Sequence, residues 1–232
     1  MKKRTTFVGV ILSLIPISQP LLFKTGVVLS SFAVIPSLSG RANAGDNSYY
    51  FNSAYDKAEN GDYYGAISDY TKAIEINPND GDAYYNRGNA KRKLKDDYGA
   101  ISDYIKAIEI NPSFEQAYYN RGNAKSDIKD YYGAISDYTK AIEINPQYSI
   151  AYNNRGFVKF KIKDYYGAIS DYNKAIEIDP VYALAYTNRS ESKENIGDIK
   201  GACADAKKAF SLGDEDANKS WIKKNCKFLK DI

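Results

Sequence analysis

The chain has 232 residues, with 32 lysines and arginines against 29 acidic residues, a formal net charge of +3, and no histidine. That length allows one or two domains. The lack of histidine removes the commonest general base and the commonest metal ligand, and two cysteines alone are too few for a structural zinc site. Neither a metal nor a cofactor is expected.

The charge is unevenly placed. Residues 1–44 hold Lys2, Lys3, Arg4, Lys24 and Arg41 and no acid, so residues 45–232 set 27 basic against 29 acidic side chains and carry −2. A body without positive excess offers no electrostatic footprint for nucleic acid. Lys2-Lys3-Arg4, the apolar run 7–15 and Ala42-Asn43-Ala44 read as a secretory signal removed after Ala44. A second apolar run spans 26–38, and Pro16, Pro20 and Lys24 divide the leader. Two alternatives stay open: a leader retained as a membrane anchor, or a start further downstream. Neither run reaches the roughly 20 residues of a spanning helix. A membrane partner follows only if the leader is retained.

From residue 47 the chain repeats. Gly65, Gly99, Gly133, Gly167 and Gly201 stand 34 residues apart, and Pro78, Pro112, Pro146 and Pro180 keep the same step. A period of that length means one supersecondary unit copied in tandem, each burying its apolar face on its neighbours. Small and apolar residues recur at helical spacing on both sides of a break, as in Tyr84, Gly88, Lys91 and then Ala100, Tyr104, Ala107. Asp62, Asp96, Asp130, Asp164 and Asp198 sit at the break as N-caps. The prolines end each second helix. Every copy therefore predicts helix, tight turn, helix, over 47–80, 81–114, 115–148, 149–182 and a degraded 183–216. Glycines 88, 122 and 156 with alanines 100, 134 and 168 let the paired helices approach, and the tyrosines fill the spaces. A capping helix over 217–230 would cover the last core with Trp221 and Phe228.

The run Tyr84, Gly88, Ala100, Tyr104, Ala107, Pro112 recurs as Tyr118, Gly122, Ala134, Tyr138, Ala141, Pro146, and as Tyr152, Gly156, Ala168, Tyr172, Ala175, Pro180. This resembles the tetratricopeptide repeat. The first copy has Ala54 for the glycine; the fifth has Ser190 and Ala206 for the glycine and the aromatic. The resemblance implies an all-α, right-handed α-solenoid with a C-terminal cap helix. The triplets Asn86-Arg87-Gly88, Asn120-Arg121-Gly122 and Asn154-Arg155-Gly156 are similar to an Asn-Arg-Gly subgroup common in bacteria and cyanobacteria. In the general pattern the arginine is a leucine.

A buried arginine needs an acid. One stands 18 residues ahead of each: Asp69 and Arg87, Asp103 and Arg121, Asp137 and Arg155, Asp171 and Arg189, with Asp205 meeting Lys223 and the first copy holding Ser53. The expectation is that each second helix gives its aspartate to the next repeat's first helix. The alternative is an arginine row for an anionic ligand. Lys57, Lys91, Lys125, Lys159 and Lys193 read as a solvated face with buried stems, or as a steering row for an acidic partner.

The resemblance also implies that first helices line a concave, peptide-binding face. Asn52, Asn86, Asn120 and Asn154 would point there, beside Tyr85 and Tyr119, with Asn89, Asn123 and Phe157 one turn on. Asparagine suits an extended backbone, offering one acceptor and two donors; the alternative is that these are tolerated solvent positions. Where a carboxylate-clamp relative places its lysines and arginine, this chain has Phe51, Gln116 and Asn120, which argues against that mode. Cys203 and Cys226 would stand at similar heights on antiparallel helices and, after export, form a disulfide worth about 3 kcal/mol in the chain-entropy picture; the alternative is two buried thiols.

The function read from these residues is non-catalytic: an exported scaffold (periplasmic, luminal or extracellular) holding an extended or helical segment of another protein. An assembly factor or structural subunit of an envelope or thylakoid-side complex is the alternative.

Overall fold

The computed structural model describes residues 46–214 and 219–226; the leader reading, Phe228 and the rest of the tail lie outside them. Ten helices form five antiparallel pairs: α1 (Asn47–Glu59) with α2 (Tyr63–Ile76), α3 (Gly81–Lys93) with α4 (Asp97–Ile110), α5 (Glu115–Asp127) with α6 (Tyr131–Ile144), α7 (Ser149–Lys161) with α8 (Tyr165–Ile178), and α9 (Ala183–Asn195) with α10 (Ile199–Ser211). A seven-residue α11 (Lys219–Asn225) follows. Among the described residues there is no strand, and no helix is long and apolar enough to cross a membrane.

Each first helix packs on its own second helix, on the second helix of the preceding pair, and on the next first helix; second helices do not touch one another. The first helices therefore crowd together on the inner side of the stack. That stacking makes this an α-solenoid, and its concave wall is α1, α3, α5, α7 and α9.

The short turns have a local cause. At each break the aspartate carboxylate accepts from the backbone N–H of the period glycine, as Asp96 does from Gly99 at 2.9 Å and Asp130 from Gly133 at 3.0 Å. A Cβ on Gly99 would lie 2.1 Å from the Asp96 carboxylate oxygen. The 34-residue glycine is thus the partner of the cap. One residue before each cap the backbone turns left-handed. Gly61 and Gly197 do this at the end repeats, but Lys95, Lys129 and Lys163 do it at φ 65° in the middle three.

The core is built from alanine and tyrosine. Tyr70, Tyr104, Tyr138 and Tyr172 are fully buried, among alanines of both helices. Glycine on the first helix serves this ring directly: a Cβ on Gly88 would come 2.8 Å from Tyr104 Cε1, and Gly122 and Gly156 meet Tyr138 and Tyr172 in the same way. In the fifth repeat the ring is gone (Ala206), and Ser190 fills the place, donating to the Ala202 carbonyl at 2.8 Å. The two departures are one substitution. The stack ends on α10 and α11, joined by the Cys203–Cys226 disulfide, Cα atoms 5.6 Å apart. Trp221 and Ile222 pack against that bridge, and the Trp221 indole donates to Glu194 at 2.7 Å.

Left-handed lysine costs roughly 1–2 kcal/mol over glycine in that conformation, partly offset by glycine's larger entropy loss. Lys129→Gly is therefore expected to raise stability by about 0.5–1 kcal/mol, read as a higher urea midpoint with unchanged slope.

Candidate functional site

Two side-chain systems occupy the first helices, one between the paired helices and one on the concave wall. The first is ionic. Arg87 donates from Nε and Nη2 to both carboxylate oxygens of Asp103, at 2.9 and 2.6 Å. Arg121 holds Asp137, Arg155 holds Asp171 and Arg189 holds Asp205 by the same fork. The expected register was wrong: each arginine takes the aspartate 16 residues after it, within its own repeat, and Asp69 does not reach Arg87. In the first repeat Ser53 donates to Asp69 at 2.7 Å, while Lys57 and Lys72 bring the positive charge. Asp205 belongs to Arg189 and Lys193, not to Lys223.

The lysine row is the third member of this system, which corrects its reading as a solvated face. Lys91, Lys125, Lys159 and Lys193 each lie 2.7–2.8 Å from the buried aspartate of their own repeat. The arginine also lies over the tyrosine three residues before it, Arg121 being 5.4 Å from the Tyr118 ring. Its remaining arm reaches backward: Arg87 to Thr71 at 3.1 Å, Arg155 to Thr139 at 3.0 Å, Arg189 to Asn173 at 2.6 Å. Ahead of Arg121 the equivalent position is Ile105, which offers no acceptor. So the arginine does join repeats, through a neutral acceptor rather than the aspartate. With each guanidinium engaged and mostly buried, the row offers no free anion site.

The second system is polar and concave. The buried Tyr104 hydroxyl donates to Asn89 Oδ1 at 2.7 Å. Asn120 of the next repeat donates to the same oxygen at 2.9 Å and to the Tyr85 hydroxyl at 3.0 Å. One repeat on, Tyr138 donates to Asn123, and Asn154 to Asn123 and the Tyr119 hydroxyl. Burial, above all, pushes the Tyr104 and Tyr138 hydroxyls well above the usual phenol range, so they stay protonated donors. Tyr85 and Tyr119 are held by tilted ring contacts with Phe114 and Tyr148, centroids 4.8 and 5.1 Å apart. Those two aromatics stand at helix N-caps and make no side-chain cap.

This ladder changes the meaning of the asparagines. Asn89, Asn120, Asn123 and Asn154 largely satisfy one another and the tyrosines. Asn86 donates to the Asp82 carbonyl of its own helix at 2.9 Å, and Asn52 lies in a separate cavity on α1 with Ser48, Tyr49 and Asp56. The ladder stops at both ends of the wall. Near the first repeat, Tyr55 stands where an asparagine is needed, in a 300 Å³ cavity with Tyr63, Tyr70 and Asn86. Near the last, Phe157 replaces the asparagine and Asn153 the tyrosine; Asn188 then donates to Asn153 at 3.0 Å. Phe157, Asn154, Asn123, Asn188, Leu184 and Arg92 line a cavity of about 310 Å³ there. Arg92 escaped the sequence reading because the equivalent positions hold Ala58, Ser126, Phe160 and Glu194. No group of side chains among the described residues could hold a metal ion.

A tetratricopeptide repeat model matches residues 81–114, 115–148 and 149–182, and a second TPR repeat model matches 54–95. The chain belongs to the tetratricopeptide repeat family. A solved structure of MamA protein is 27% identical over 75% of this chain and 94% of its own, with a TM-score of 0.68. YrrB, described as a TPR protein with an unusual peptide-binding site, is 21% identical over 75% and 89%, with a TM-score of 0.65; PilF of Pseudomonas aeruginosa is 18% identical over 72% and 76%, at 0.65. These last two show the fold alone. No curated protein sequence matches the chain.

Removing one partner of a buried pair strands the other charge. Asp137→Asn leaves Arg121 and Lys125 without their anion and is expected to cost about 3 kcal/mol, measured by urea unfolding; Glu143→Gln, which breaks only the exposed Lys140–Glu143 pair, should leave the curve in place. Acid probes the first repeat. Burial alone would raise the Asp69 carboxyl, but bonds from Lys57, Lys72 and Ser53 hold it at about 2. Its pKa is depressed on folding, so its contribution is full above the unfolded value of about 3.9 and is lost as pH falls toward 2. Stability is expected to fall across that window, and less steeply in Asp69→Asn.

Proposed function

We propose that this protein is a non-catalytic, exported scaffold that holds an extended segment of another protein along the concave wall of its first helices. The observation that carries the reading is the wall itself: a pre-formed row of tyrosines and hydrogen-bonded asparagines, open at two cavities and fixed from behind by buried rings. Such a surface meets a ligand with little reordering, which is what makes a groove bind well. Membership of a repeat family whose stacked units form extended binding surfaces supports the class of function. The peptide-binding site of YrrB, a structure of the same fold, is consistent with it. The Cys203–Cys226 bridge supports export, because such bonds persist in oxidising compartments. The ion triads and cap aspartates consume the repeated acids that acid–base catalysis would need.

The test is to express the full chain with a C-terminal tag in a bacterial host, crosslink it in place, and read the mature N-terminus and the crosslinked residues by mass spectrometry. A start at Gly45 and crosslinks to one dominant protein through α3, α5 and α7 are expected. An intact leader in the membrane fraction would overturn export. Crosslinks confined to α4, α6 and α8 would overturn the groove.

A further inference from the structure

The concave wall is periodic except where the ladder fails, and one failure borders a cavity with two exposed apolar side chains. Tyr172, 1% exposed, is the counterpart of Tyr104 and Tyr138, but Phe157 stands where they have Asn89 and Asn123. Its ring is 40% exposed, with Lys161 Nζ 4.7 Å from the centroid. Leu184, 48% exposed, stands on the next first helix and lines the same cavity. On the third side is Arg92. Its Nη2 donates to Asp127 across the repeat at 2.9 Å, and its Nε lies 3.8 Å from Asp97, buried and without a hydrogen-bond partner.

We infer that this cavity is the subsite that fixes the register of the bound segment, and that it takes a large apolar side chain of an extended peptide, whose neighbouring backbone carbonyl accepts from Arg92. The inference rests on the groove reading above and names what that groove selects. The apolar walls come from Phe157 and Leu184. The volume of about 310 Å³ suits one such side chain with its flanking backbone. Charge decides against an acidic ligand: Arg92 already has Asp127 and Asp97 beside it, and Glu191 sits in the field of Lys161. A carbonyl dipole meets the part of the Arg92 guanidinium that borders the cavity without bringing another anion next to Asp127. The break near Tyr55 lacks this combination, since its cavity holds no arginine and no aliphatic wall beyond Ala58 and Ala90.

The ladder supplies the decisive variant. Phe157→Asn gives Tyr172 the acceptor that Tyr104 and Tyr138 have, so it completes the pattern while removing the apolar wall. The full chain is panned against a displayed library of random linear peptides, and the enriched peptides are synthesised and titrated. Expected is one large apolar residue at a single position, with affinity nearly independent of salt. Phe157→Asn should weaken those peptides by about tenfold or more at an unchanged or higher thermal midpoint. Leu184→Gln should act likewise, and Tyr98→Asn, exposed on α4 away from the wall, should bind as the parent does. Peptides that need an acid and weaken with salt would overturn the assignment, as would equal binding by Phe157→Asn. Enrichment of no sequence at all would remove the groove reading along with it.

Discussion

Each of the first four repeats buries one tyrosine ring between its two helices, and much of the molecule follows from making room for it. The ring of Tyr104 lies where a Cβ on Gly88 would be, so the first helix needs glycine there. The hydroxyl at the far end of the ring cannot be buried without a partner. Asn89 is that partner, one residue beyond the glycine. Once Asn89 is fixed, its oxygen can also accept from Asn120, and the next repeat is tied on. The core requirement thus writes the concave surface. The fifth repeat shows the dependence in reverse: without the ring there is no glycine, no asparagine and no further ladder.

The ionic system answers a different need. Helices joined by three-residue turns pack closely, and the aspartate that faces the first helix is almost fully enclosed. One cation does not surround a carboxylate. Arginine supplies a fork and lysine takes the remaining lone pair, so the acid is met on several sides. Two charges against one would leave an excess, but lysine keeps part of its length in water and arginine shares its charge with a tyrosine face and a neutral acceptor of the preceding repeat. The arrangement specifies rotation of one helix about its axis more than it adds stability.

The fold was legible because its signals are local. A period of 34, aspartate before the second helix and proline after it each act within a few residues. The pairing was not. Arginine and aspartate recur with the same period, so an offset of 18 backward and one of 16 forward are equally regular, and both are nearly symmetric about a turn. Only the direction each aspartate faces decides, and periodicity carries no information about that. Ser53 looked like an exception that favoured the first register, yet it bonds Asp69 directly. The lysines were misread for a related reason: a regular row of charge looks the same whether it meets water or a buried partner. The asparagines were placed on the right helices, but their use depended on tyrosine hydroxyls arriving from another helix.

A groove of identical repeats has an inherent weakness as a recognition surface. If every repeat offers the same asparagine and the same ring, an extended peptide can shift by one repeat and meet the same groups again. Affinity then comes from many registers and selectivity from none. The internal hydrogen bonding of the ladder lowers this hazard, because a wall that satisfies itself attracts little backbone in the middle. What remains attractive is the interruption. Phe157, Asn153 and Arg92 each break the period within one turn of the same cavity, and the break at Phe157 exposes an apolar face that the ladder elsewhere lacks. Departures from the repeat that cluster in space, rather than the repeat itself, are where a solenoid of this kind can tell one partner from another.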